Sequence, residues 1–406
     1  MSTIKLNTGS QTVEYQIPDG KWVQGQYESK SPALPDLLHA VAEQLETPLD
    51  FPALRSALTP DDHLVIVFRD SMNGAVQALQ AVLEHIQQAG VQMEQVIVLM
   101  PSQQEPIWKQ QLPAHCLGFH LEYHDPATSK MAYLASTKAG RRIYLNRHVV
   151  DADQIIILSN VRFDAIYGIA CGLADVFPVL SDVPTRTELN RVFHSHVPDL
   201  KHSFPIWGEA EEVGWQLGMP FVVCLAEGIG TAVNQVFAGN AAAMRKQADN
   251  WLRKHATYRL PYQVDLVVIT LTGTPDQQDF TSIAEAAIHA SRIVHQGGRI
   301  AILSEVSGVL PQGSEIFSAA ETAVAGLSQL RHQPEVDRLP WWQLATALEQ
   351  ATVYLFSHLS QEVTEALFIT PLDNPSQVGQ LMEQAKTVAI VEGGNRTLME
   401  LSKSPS

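Results

Sequence analysis

"LVIVFRDSMNGAVQALQAVLEHIQQAGVQMEQVIVLM", residues 64–100, decides the fold. It begins and ends on aliphatic, β-branched runs with no alternation of polar positions, the pattern of strands covered on both faces. Between them Val76, Leu79, Val82, Leu83 and Ile86 recur at helical spacing, and Gly90 supplies the stop. Strand, helix and strand make one βαβ unit. Further buried-strand runs follow: "QIIILS" (154–159), "PFVVCLAEG" (220–228), "VDLVVIT" (264–270), "RIAILS" (299–304) and "TVAIVEG" (387–393). The reading predicts an α/β protein of two domains, each with a mostly parallel sheet flanked by helices.

Two stretches read instead as hairpins: "MAYLASTKAGRRIYLNR", turning at 138–140, and "FVVCLAEGIGTAVNQVFAGN", turning at 228–230. The helical segment 240–260 stops before Pro261, where a second β/α series begins. The expected division is a first domain of 1–248 plus the returning strand 387–406, linker helices at 249–262 and 374–386, and a second domain of 263–373. "WWQL" (341–344) reads as a helix start packed on the second core. "GIG" (228–230) and "GG" (297–298) lack the strand–loop–helix order of a dinucleotide fingerprint and read as turns.

Composition excludes several classes. The 406 residues carry a formal charge of −16, and no Lys/Arg cluster can neutralise several phosphates, so nucleic acid is not an expected partner. No run of 18 or more uncharged apolar residues exists, and the opening "MSTIKLNTGSQTVEYQIPDG" has no signal-like apolar core, so the expectation is a cytoplasmic protein without membrane association. Cys116, Cys171 and Cys224 are far apart, which suits neither a disulfide framework nor a thiolate metal site. The partner that remains is a small-molecule metabolite; the sequence sets no oligomeric state.

The pieces "VEYQIPDG", "DDHLVIVFRDS", "GRRIYLNRHVVDADQIIILSNV", "IYGIACGLADVFP", "QVFAGN", "DLVVITLTGTPDQQDF" and "HQGGRIAILSE" resemble, in sequence and spacing, the nickel-dependent lactate racemase family (LarA-type, with its Lar_N domain). The resemblance runs from about residue 4 to the C-terminus. It implies two α/β domains with the active site in their cleft. It also implies racemisation of 2-hydroxy acids by hydride transfer to a nickel-pincer nucleotide tethered to a lysine.

Carried over position by position, the resemblance places Asp70, Ser71 and Asn73 where the nucleotide is held, but Met72 and Asn73 stand in for a Thr-Arg pair. Gln104 stands in for a histidine base, and an amide is no general base near neutrality. Asp164 replaces a metal-ligand histidine and Ala174 the tethering lysine. His194 or His196 matches a second histidine. Thr274 and Asp276 replace a tyrosine and a substrate-binding lysine. No covalent cofactor is therefore expected and no metal ligand is assigned. As catalytic candidates there remain Asp164, Asp175, His194 and His196, with Gln104, Thr274 and Asp276 lining the cleft.

Each has a plainer reading. Asp70 is equally a cap for the helix after Gly74, and Asp164 and Asp175 suit a helix start. His194 and His196 form an H-x-H with no third ligand nearby. His115, Cys116, His120 and His124 look metal-like in spacing, but on a strand His120 and His124 read as an exposed edge. Because the replaced positions stay polar, the cleft is expected to be open, hydrated and acidic, favouring a cationic or neutral hydroxylated ligand over lactate. Two functions follow: a divergent enzyme of the racemase/epimerase family acting on a small hydroxy acid or related metabolite, or a non-catalytic pseudoenzyme or interaction scaffold.

Overall fold

The computed structural model describes residues 2–7, 11–29, 31–101, 107–164, 168–190, 205–228, 232–333 and 336–402. Gln104, His194 and His196 lie outside the described residues. Among them, one sheet runs in the spatial order Val233–Asn240, Phe221–Glu227, Gln154–Asp164, Leu64–Phe68, Val96–Met100, His120–Tyr123. Its neighbours are parallel except for the Phe221–Glu227/Val233–Asn240 hairpin, and Gly168–Ala170 folds back antiparallel onto the end of Gln154–Asp164.

Every residue of Leu64–Phe68 is buried because the strand feeds two cores. Leu64, Ile66 and Phe68 point into one, Val65 and Val67 into the other, so a period of two is hidden in a continuous apolar run. Helix Ala75–Gln88 closes the first core with fully buried Leu79, Val82, Leu83 and Ile86, each worth about 1.5–3 kcal/mol of transfer free energy.

The second sheet is parallel throughout, in the order Thr370–Pro371, Ala351–Phe356, Val294–Leu303, Val264–Thr270, Val388–Glu392. Helices Phe280–Ala290 and Leu339–Gln350 cover one face. There Trp341 lies 4.6 Å from the Phe280 ring and 4.8 Å from that of Phe317, as the reading of "WWQL" expects. The other face packs on Leu6, Tyr15 and Ile17 of the hairpin Ser2–Asn7/Thr12–Ile17 and on Val378 and Met382 of helix Gln377–Gln384.

Two placements differ from the sequence expectation. The strand Val388–Glu392 pairs with Val264–Thr270 in the second sheet rather than returning to the first, and the N-terminal hairpin packs on that sheet too. The segment that does reach the first sheet is Leu398, from the strand Leu398–Leu401, which pairs with Thr257–Leu260 and packs in the core of Val65 and Val67. A strand's own residues state that it is buried, not beside which sheet. The hairpin Met131–Ser136/Arg142–Asn146 forms as expected. Among the described residues no helix is long and apolar enough to cross a membrane.

Candidate functional site

In open parallel sheets, loops leave the carboxyl ends of the strands and converge there, and ligands bind in the crevice they make. Both sheets direct those ends toward a shared cleft. The turn after Leu64–Phe68 meets the turn after Val264–Thr270, where Gln277 Nε2 donates to the Met72 carbonyl at 3.4 Å. The turn carrying Asp70, Ser71 and Asn73 thereby meets the turn carrying Thr274 and the backbone of Asp276; the Asp276 side chain lies outside the described residues.

The floor is an ion cluster. Arg69, directly after Leu64–Phe68, reaches Asp175 Oδ1 at 3.2 Å, and Arg162, near the end of Gln154–Asp164, reaches the same atom at 2.9 Å. Ser159 Oγ donates to the other carboxylate oxygen. Burial works against charge on Asp175, but Arg162, Arg69 and Ser159 outweigh it and hold the carboxyl below its usual range. Burial also disfavours the charge on Arg162, yet Asp175 and Asp164 raise its pKa overall; beside it, Arg69 is lowered, by Arg162 first and by burial second. Two guanidiniums thus share one carboxylate. Arg69 is one-third exposed, and its Nε is buried with no acceptor among the described residues.

A second carboxylate, Glu227, accepts the Asn73 N–H and the Asn160 amide and pairs with Arg396. From the other side, helix Phe280–Ala290 contributes Glu285 and His289. Glu285 is half-buried, and desolvation, followed by the charge of Asp279, pushes its carboxyl up to about 8. Burial, with Arg292, lowers His289 to about 4, and its Nδ1 lies 3.2 Å from the Gly394 carbonyl.

Asp175 is therefore at the site but committed to two arginines, and it is not free to act as a base or ligand. Asp164 ends its strand within the field of Arg162. Asp70 does not cap the next helix: the cap is Gly74, with no side-chain bond, and burial raises the Asp70 carboxyl. Asn73 is buried with its N–H spent on Glu227, whereas Ser71 is exposed. Thr274 is exposed, and its N–H donates to Gln277 Oε1.

Arg69, Arg162 and Arg396 stand among the carboxylates Asp70, Asp164, Asp175 and Glu227, and the Arg69–Arg162–Asp175 cluster taken by itself carries a net positive charge. Sequence reasoning missed these arginines, and Glu227, Glu285 and His289, because each reads as an ordinary residue of a strand, a helix or the turn beyond a strand. The usable signal was "LVIVF" followed at once by Arg69, and Glu285 and His289 one helical turn apart. His120 is exposed at the sheet edge as expected, but His124 is 3% exposed, between the Asn146 amide at 3.2 Å and the Ser181 carbonyl at 3.3 Å. Burial lowers its pKa to about 4.

Residues 8–197 match the lactate racemase N-terminal domain. Among solved structures, the lactate racemase apoprotein from Thermoanaerobacterium thermosaccharolyticum superposes with a TM-score of 0.79 at 16% identity, covering 98% of this chain and 100% of that one. A Thermotoga maritima protein solved by structural genomics reaches 0.69 at 13% identity, over 92% and 100%. No curated protein matches the sequence. At these identities the structural likeness speaks for the fold alone. The chain thus carries a match to the lactate racemase N-terminal domain at residues 8–197 and shares the fold of the lactate racemase apoprotein along nearly its whole length.

Proposed function

We propose that the chain binds a small hydroxylated carboxylate in the cleft between its two sheets and does not racemise lactate. The observation that carries the first half is the pair Arg69 and Arg162 on a single carboxylate, with an Arg69 N–H that finds no acceptor among the described residues at the carboxyl ends of parallel strands. A carboxylate ligand would supply the missing acceptor and balance the second guanidinium.

The second half rests on the residues that would hold the family's nickel-pincer nucleotide, which do not fit it. Ala174, at the tether position, is 1% exposed inside the first core, and a methyl group forms no thioamide. No lysine stands between Lys138 and Lys201, and Lys138 lies at the exposed turn of a hairpin. Met72, at a nucleotide-binding position, is equally buried in the core, and Asn73 is bonded to Glu227. No step through that cofactor is derived for this chain.

Calorimetric titration tests the reading. Lactate should bind about tenfold more tightly than propane-1,2-diol, which has the same shape without the charge, and Arg69→Gln should abolish the difference. Equal binding of acid and diol would overturn the carboxylate assignment. Interconversion of L- and D-lactate by the purified protein, followed by chiral chromatography, would overturn the claim of no racemisation.

A further inference from the structure

Helix Ala75–Gln88 starts at the cleft and runs away from it, so Glu84 stands about 13 Å along the axis from Ala75. There the helix meets the short 3₁₀ turn Ala114–Cys116, closed by the Cys116 N–H on the Pro113 carbonyl at 2.9 Å. A carboxylate, an imidazole and a thiol converge at this contact. One donor atom each of Glu84, His115 and Cys116 lies within 4.8 Å of the other two.

The three donors run from core to surface. Cys116 is fully buried in the core that the helix closes, Glu84 is one-third exposed and His115 more than half. A cation held among them therefore has the thiol beneath it and water above. His115 Nε2 lies 3.1 Å from Glu84 Oε1. Gln80, one turn earlier on the helix, donates to the same oxygen at 2.9 Å, and Gln87 donates to the His115 carbonyl. One helix thus orients the carboxylate and also pins the turn that carries the other two groups. Partners of this kind fix the direction of metal ligands. Burial pushes the Cys116 thiol up to about 11, and the charge of Glu84 adds to the rise, as expected of a carboxylate beside the sulfur. A dication between the two removes that repulsion and stabilises the thiolate.

The donor set selects the metal. Calcium and magnesium take oxygen ligands, whereas imidazole and thiolate together suit zinc. Zinc holds sulfur at about 2.3 Å and nitrogen or oxygen at about 2.0–2.2 Å in a tetrahedron, which sets its donors about 3.4–3.6 Å apart. The separations here bracket that spacing, at 3.1 Å for His115 and Glu84 and no more than 4.8 Å for the rest. His115, being exposed, can make the small adjustment.

We infer that Glu84, His115 and Cys116 form a zinc site, in which the metal replaces the hydrogen between His115 Nε2 and Glu84 Oε1, takes Cys116 Sγ as third ligand and keeps water as the fourth. The bound ion clips the turn Ala114–Cys116 to helix Ala75–Gln88. Glu84 is 31 residues from His115, so no local spacing motif records the set. The site is independent of the cleft and its carboxylate ligand.

The test is titration of the full chain, first stripped with a chelator, with zinc against a chromophoric competitor and with cobalt(II) followed by absorption. Cobalt should give a thiolate-to-metal charge-transfer band together with the strong visible bands of a four-coordinate ion. Cys116→Ser should abolish the charge-transfer band. His115→Gln, at an exposed position, should weaken zinc at least about tenfold, and Gln80→Ala about tenfold. No charge-transfer band in the native chain, a band that persists in Cys116→Ser, or zinc affinity untouched in His115→Gln, the mark of an adventitious ion only, would each overturn the inference. Circular dichroism of each variant separates lost binding from lost fold.

Discussion

Asp175 illustrates how a carboxylate at a functional position is removed from chemistry by its neighbours. With Arg162, Arg69 and Ser159 around it, its charge is fully used. Asp175→Asn should cost about 3–5 kcal/mol in chemical denaturation, because it leaves two guanidiniums buried against each other. Since its folded pKa lies below the usual 3.8, its contribution is present above that pH and is lost as the pH falls through the folded value. Glu285 behaves oppositely. Raised to about 8 from 4.5, it holds its proton in the folded state between those values, so stability falls as the pH rises through this window. Glu285→Gln should flatten the pH 5–8 stability profile; an unchanged slope would contradict its burial among acidic neighbours. His124 adds a third dependence. Lowered to about 4 from 6.5, it makes folding less favourable as the pH falls from 6.5 toward 4, by up to about 3 kcal/mol, and His124→Gln should remove that loss. At this scale the sequence exposed the polar positions of the loops but not their partners: Asp175 meets Arg69 across 106 residues, a separation no local pattern records.

At the scale of elements, the pattern and the structure agree wherever an apolar run and its stop signals are both local. Helix Ala75–Gln88 and both hairpins were legible for that reason. Leu83→Ala in that helix should cost about 2–5 kcal/mol, as truncation does in a closed core. Gly74, at φ 72°, is needed at the start of the helix because a Cβ there would lie 2.2 Å from Leu37 Cδ2. Gly74→Ala should therefore destabilise the protein and displace the loop that carries Asp70 and Asn73, seen as a lower midpoint in thermal unfolding. The strand Val388–Glu392 was legible as a strand, but not its sheet. Its partner is chosen by which edge is open once Val264–Thr270 is in place, a property of the assembled molecule.

For the molecule as a whole, family and fold were legible in the order of its segments, and they agree with the match at residues 8–197 and with the shared architecture. The arginines of the cleft floor were not, because substituted loop positions reveal what is lost and these arginines come from strand ends and the turns after them. On the proposed reading, this chain keeps the lactate racemase fold and cleft without the residues that anchor the family's cofactor. The most direct test is the intact mass and nickel content of the chain co-expressed with the enzymes that make the nickel-pincer nucleotide. The expected result is the mass of the unmodified polypeptide and no stoichiometric nickel. A nucleotide adduct on any lysine, with nickel bound one to one, would contradict it.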